Sequence, residues 1–224
     1  VCAGPAEKSP YCHEGSFGPA GKETKRAVGR KSIREQRRKE ILEALYRCLL
    51  RKPYSETSIK DIGMEAGINH AMLHYYFRSK EDILLCFIDS ISERYSAMFR
   101  HDLKKIERKD LTRREILKHV FHFMNTHITT DKKLQTIFVE IWGIAIYKPA
   151  VHARVKKMYS EWIRELAGFM KPSNGAAADI DSLAMAVVAF QEGVGLFSVS
   201  FDLKKKDTMA LMEAFQEKIL EMLE

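Results

Sequence analysis

The chain has 224 residues, 46% of them apolar and 30% charged, with a net charge of +7. That length buries a core in one or two domains without disulfide or metal staples, and the four cysteines (Cys2, Cys12, Cys48, Cys86) contain no CxxC pair. The first twenty residues lack the apolar centre of a secretory signal, and Gln191 and Glu192 interrupt the longest apolar run, Leu183 to Phe201; the expectation is therefore neither secretion nor a membrane span, but a reducing, cytoplasmic setting. The positive charge is unevenly placed. Residues 1–80 hold 16 Lys and Arg against 9 Asp and Glu, whereas residues 81–224 hold 21 of each. A basic end joined to a neutral remainder points to a polyanion partner at that end, although a solvated basic tail gives the same count.

Residues 1–30 are rich in Gly, Pro, Ser, Lys and Glu without apolar periodicity, and read as a flexible extension. From Ile33 the pattern is helical almost to the end, with no alternating strand run, so the expected fold class is all-α. Ile41, Leu42, Leu45, Cys48 and Leu49 mark one face of a first helix that Pro53 stops. Ser58-Ile-Lys-Asp61 is a capping box opening a second helix with Ile59, Ile62 and Ala66 inward. Gly67 ends it, and Asn69 caps a third, short helix reaching Phe77. Ser79-Lys-Glu-Asp82 is another capping box, opening a long helix through Ile83, Leu84, Phe87, Ile91 and Tyr95. Two short helices joined by a tight glycine turn make a helix-turn-helix.

The stretch TSIKDIGMEAGINHAMLHYYFRSKEDIL, residues 57–84, closely resembles the DNA-binding segment of the TetR family of bacterial transcriptional regulators. The resemblance implies a helix-turn-helix head over 31–84 and a helical ligand-binding and dimerisation domain over 85–224. His74 stands where many members carry tyrosine.

In a helix-turn-helix the second helix enters the major groove and its N-terminal side chains reach base edges. Here that helix offers Asn69, His70, Ala71, Met72, His74, Tyr75 and Tyr76, with Leu73 and Phe77 spaced as inward anchors. His70 suits base hydrogen bonding, and Ala71 and Met72 suit a thymine methyl. Tyr75, Tyr76 and His74 suit phosphate contacts, and ordinary packing is the competing reading for each aromatic. Ser58, Arg34, Arg37 and Arg38 lie where backbone contacts are expected. Lys80 resembles the family's phosphate-binding lysine. The Lys22–Lys31 segment is either a DNA-contacting arm or a solubilising tail.

The neutral remainder predicts helices near 112–130, 132–148, 150–171, 180–201 and 208–223. The 132–148 helix is apolar nearly all round, which predicts a central helix, and its stripe Thr136, Glu140, Gly143, Tyr147 is expected to border a cavity. Candidate ligand contacts are Phe123, Met124, His127, Phe138, Glu140, Trp142, Tyr147, Met158, Trp162, Phe190 and Gln191. Glu140 beside Trp142 and Tyr147 would form an aromatic cage for an organic cation, with a salt bridge as the competing role. The spacing of Trp142, Pro149, Tyr159 and Trp162 is loosely similar to the choline-responsive branch of the family. His119, His122 and His127 lack further ligands for a metal, and neither a metal nor a cofactor is expected.

Small residues Ala184, Ala186, Ala189, Gly193 and Gly195, followed by Leu211, Phe215, Ile219 and Leu223, fit the four-helix dimer bundle that the resemblance implies. The expected function is a homodimeric, DNA-binding repressor released from a pseudo-palindromic operator by a small apolar, aromatic or cationic ligand. An activator, a corepressor-dependent regulator and an architectural DNA-binding protein are the alternatives. No nucleophile–base pair, phosphate loop or metal cluster points to an enzyme.

Overall fold

The computed structural model describes residues 25–106, 110–171 and 179–223, with side chains from Ile33 onward. It is all-helical among those residues: α1 (Lys25–Leu49), α2 (Ile59–Glu65), α3 (His70–Tyr76), α4 (Lys80–Ile106), α5 (Arg113–Met124) with a π-helical turn Asn125–Thr129, α6 (Lys132–Tyr147), α7 (Pro149–Met170), α8 (Ile180–Ser200) and α9 (Lys205–Met222). The expected helices are present close to their expected bounds. The first helix begins at Lys25, inside the stretch expected to be an extension. Residues 1–24, including Lys22, lie outside the described residues.

The chain divides into two compact units. The first takes the described residues up to Ile91 together with Ile144–Arg154; the second takes Ser92–Gly143 and Val155 onward. The 144–154 stretch joins the first unit through chemistry that the sequence pattern does not display. Val151 is fully buried there, Arg154 Nη1 lies 2.6 Å from Asp89 Oδ2, and Lys148 Nζ lies 3.8 Å from Glu81.

In the first unit the core is Ile41, Ala44, Leu45, Ile62, Leu73, Phe77, Ile83, Leu84 and Ile88, the faces that the apolar spacings mark. The first capping box forms in full; the second forms by half, the Asp82 carboxylate accepting from Arg78 N–H at 3.0 Å. Ser58 Oγ accepts from Asp61 N–H at 3.1 Å, and Asp61 Oδ2 accepts from Ser58 N–H at 2.7 Å. Ser79 Oγ accepts from Asp82 N–H at 3.0 Å. Gly67 sits at φ +66°, the left-handed conformation that glycine adopts without steric cost. Gly63 serves a different need. A Cβ there would stand 3.2 Å from His70 Cα and from Ile68 O, so glycine lets α2 touch the start of α3.

The second unit draws its core from α8 as well as α6. Ala184, Val187, Val188, Gln191, Val194, Gly195 and Ser198 are buried. The 132–148 helix, expected to be central, buries Leu134, Gln135, Ile137, Phe138, Ile141 and Ala145 but leaves Val139 and Ile146 exposed. α8 is long and apolar enough to cross a membrane by length and composition alone, so Gln191 and Glu192 do not interrupt it as far as expected. Here it packs as a core helix.

Two polar devices stiffen this unit. Asn125, at the start of the π turn, exchanges 2.8 Å hydrogen bonds with Gln216 in both directions and accepts from Gln191 Nε2 at 3.3 Å. Gln135, fully buried, donates to Ile128 O at 3.1 Å and rests its amide on Gly195, where a Cβ would lie 2.2 Å from Oε1. Gly195 therefore admits a side chain of the same chain. Gly195→Ala should destabilise the protein by about 1–3 kcal/mol. The same change in a Gln135→Ala background should cost much less, because the obstructing amide is gone. Denaturant unfolding of the four proteins measures this coupling, and additive effects would contradict it.

Candidate functional site

The first unit presents α3. Its inward residues are Leu73, Tyr76 and Phe77; its outward ones are His70, Ala71, Met72, His74 and Tyr75, all exposed, with Tyr75 at 68% and Met72 at 50%. Asn69 Oδ1 caps the helix by accepting from Ala71 N–H at 3.0 Å. Tyr76, expected at a phosphate, is buried and meets Tyr75 edge-on with centroids 5.0 Å apart. Spacing on so short a helix does not separate its inward tyrosine from its outward one.

Three expected backbone contacts have internal duties. Arg38 donates to Tyr76 O and, at 3.3 Å, to Cys86 Sγ, and its guanidinium lies 4.1 Å above the Phe77 ring. Lys80 Nζ donates to Tyr54 O and Thr57 O, both at 2.8 Å, and stands 4.0 Å above the Tyr54 ring. Burial, and after it Lys148, draw its ammonium below the usual lysine pKa. Ser58 spends its hydroxyl on the cap, donating to Asp61 Oδ2 at 2.7 Å. Hydrogen bonds from Ser58, then Lys52, hold the Asp61 carboxyl well below its ordinary range. Arg34 is half-buried, 5.6 Å over the Tyr75 ring. Arg37 pairs with Glu40 at 2.7 Å on the exposed side of α1.

The second unit holds a cavity that opens to solvent, walled by Tyr95, Phe99, Phe123, Trp162 and Phe169. Its lining includes two carboxylates, Glu165 and Glu192, and no Lys, Arg or His. Glu192 is the unusual group. Trp142 Nε1 donates to Tyr159 Oη at 3.1 Å, and the Tyr159 hydroxyl hydrogen-bonds the Glu192 carboxylate. The other oxygen, Oε2, is sealed from solvent with no hydrogen-bond partner. Burial pushes the Glu192 carboxyl up to about 7, and Tyr159 opposes that rise. Burial also raises Glu165, against the pull of Arg100.

Of the expected ligand contacts, Phe123, Met124, Trp162 and Gln191 line this cavity; the rest lie elsewhere. Phe138 is fully buried and stacks on Trp142 at 6.2 Å. Met158 is core. Phe190 stacks on Phe215 at 3.9 Å. His127 packs on Phe123 at 4.9 Å, with Asp102 3.9 Å away. Glu140 and Tyr147 fail together. The stripe Thr136, Glu140, Gly143, Tyr147 is part-exposed to exposed, Tyr147 at 83% and in the first unit. Small and polar residues in register there mark a solvent face, not a cavity wall.

Residues 41–85 match the family model for bacterial regulatory proteins of the tetR family. The head is thus similar to the DNA-binding segment of the tetR family over those residues. The HTH-type transcriptional regulator EthR of Mycolicibacterium smegmatis is 35% identical over 80 residues, 34% of this chain and 37% of that regulator. The chain thus matches little more than a third of that relative's length. The fold extends further than the sequence likeness. A protein of Pseudomonas aeruginosa PAO1 described as a transcriptional regulator superposes with a TM-score of 0.71 at 20% identity, over 84% of this chain and 91% of its own. A regulator from Saccharomonospora viridis, solved in complex with choline, gives 0.69 at 21% identity, over 82% and 96%.

Sequence reasoning missed Glu192, Glu165, Tyr95, Phe99 and Phe169 as cavity residues. A signal for Glu192 was present: Ile180–Ser200 carries it and Asp181 as its only charges, and Asp181 belongs to the first turn. A lone carboxylate in the middle of an apolar helix requires a partner. Among the described residues no group of three or more His, Cys, Asp or Glu is placed to hold a metal ion.

The Glu192 carboxyl, raised from 4.5 to about 7, keeps its proton in the folded chain at pH values where the unfolded chain has lost it. Folded stability should therefore fall as pH rises from 4.5 to 7, by at most about 3 kcal/mol. Glu192→Gln should remove that loss, gaining on the parent protein toward pH 8 and matching it near pH 4.5. Urea unfolding at both pH values checks the sign, and a constant difference would contradict it.

Proposed function

We propose that this chain is a homodimeric, DNA-binding transcriptional repressor that a small molecule releases from its operator. The observation carrying the reading is the two-sidedness of α3: Leu73, Tyr76 and Phe77 are buried, while His70, Ala71, Met72, His74 and Tyr75 form a continuous exposed row. A helix held by one face and bare on the other suits insertion into the major groove. In this reading His70 hydrogen-bonds a base, Ala71 and Met72 meet a thymine methyl, and Tyr75, His74 and Arg34 contact the phosphate backbone. Lys80 and Arg38 act as struts that fix the angle of α3.

Dimerisation is supported by large apolar side chains left exposed on α8 and α9, among them Met185, Phe197, Leu211 and Met222. A two-fold pair of reading helices would address half-sites about 34–36 Å apart or a multiple of that. Ligand response is supported by the aromatic cavity and by the choline-bound S. viridis regulator of the same fold. The ligand would favour a state in which the two α3 helices no longer fit successive grooves, and only its differential affinity for that state weakens DNA binding. A protein doing this works in the compartment that holds the genome.

His70→Ala should weaken operator binding by about 1–3 kcal/mol while leaving non-specific DNA affinity unchanged. Fluorescence anisotropy on operator and scrambled duplexes measures both. Equal loss on the two would overturn base readout by α3.

A further inference from the structure

Resting on the ligand-responsive reading above, we propose that the cavity of the second unit takes an organic monocation with an apolar or aromatic body, its charge set against Glu192 and its body against the Trp162 ring. Three observations lead there. The first is the orphan oxygen. Glu192 Oε2 is buried and unpartnered, although the same carboxylate is deliberately held, through the chain Trp142 Nε1–H to Tyr159 Oη and Tyr159 O–H to Glu192. Evolution of a mere core position would favour Gln or Leu there, since an uncompensated buried carboxylate is strongly unfavourable.

The second observation is the sign of the lining. Glu192 and Glu165 are its only ionisable carboxylates, and no Lys, Arg or His accompanies them. An anionic ligand would be repelled, and a ligand unable to donate a hydrogen bond or bring positive charge would leave Oε2 as it stands. The third is the wall. Tyr95, Phe99, Phe123, Trp162 and Phe169 present rings whose faces attract a cation in a desolvated site. Glu140, the carboxylate that the sequence pattern nominated for such a cage, is not part of the lining; Glu192 takes its place from a different helix.

The test uses three probes on the full chain, by isothermal titration and by tryptophan fluorescence at pH 8: benzyltrimethylammonium, its uncharged isostere neopentylbenzene, and 3-phenylpropionate. The cation should bind at least roughly tenfold more tightly than the isostere. Glu192→Gln should cancel that preference while keeping affinity for neopentylbenzene, and Glu165→Gln should reduce it less. Thermal unfolding of each variant confirms that it is folded. Equal or tighter binding of the uncharged probe, preference for the anion, an unchanged cation affinity in Glu192→Gln, or no binding of any probe below about 10 mM would overturn the proposal. Operator binding is followed separately on the same samples. A neutral or anionic compound that enters the cavity and releases DNA would overturn the cation assignment and leave the proposed function standing. Cation binding by a protein without operator affinity would do the reverse.

Discussion

The helix proposed to read DNA, α3, is seven residues long, about two turns, and a helix of that length has no stability of its own in water. Much of the first unit serves to hold it. Leu73 and Phe77 are sunk into the core, Asn69 caps one end, and the carbonyl of Tyr76 at the other end receives Arg38. Gly63 removes the Cβ that would push α2 away from His70, and Gly67 turns the chain with a positive φ. Lys80 ties the loop before α2, through Tyr54 O and Thr57 O, to the first turn of α4. Cations near the surface proposed to face DNA are thus drawn inward as struts. They fix geometry instead of supplying free positive charge.

The second unit handles buried polarity in two contrasting ways. The Asn125–Gln191–Gln216 cluster is mutually hydrogen-bonded, neutral and closed, and it anchors the π turn between α8 and α9. The Trp142–Tyr159–Glu192 chain is open at its last atom. Neutral amides that satisfy one another specify a fold at little cost, whereas a carboxylate oxygen without a partner is costly. The placement of that oxygen at an aromatic cavity would give the unit an energetic reason to hold the proposed cation.

The head was legible because its signals are local. Capping boxes, a left-handed glycine and apolar spacing act within a few residues, and Ser58, Asp61, Gly67, Asn69, Leu73 and Phe77 do what their positions suggest. Tyr76 was ambiguous because the two faces of a two-turn helix are separated by a single residue. The internal bonds of Arg38 and Lys80 to backbone carbonyls leave no trace in side-chain patterns. The cavity was less legible. Its walls come from α4, α5, α7 and α8, and no spacing along one helix encodes their convergence. Phe138 and Trp142 were rightly seen as aromatic chemistry, but the pattern cannot tell a packed ring from one that faces a void. Glu140 and Glu192 look alike as lone carboxylates, and only packing separates the solvent face of α6 from the buried face of α8.

The central claim is that the exposed face of α3 reads a defined DNA sequence in two symmetric copies. The most direct measurement is selection of genomic fragments by the purified protein, with excess non-specific DNA as competitor and repeated across a salt series. The account predicts recovery of a pseudo-palindromic site with half-sites about one helical turn, or a multiple, apart, whose preference over competitor survives rising salt better than overall affinity does. Enrichment with no shared sequence, disappearing uniformly as salt rises, would contradict it.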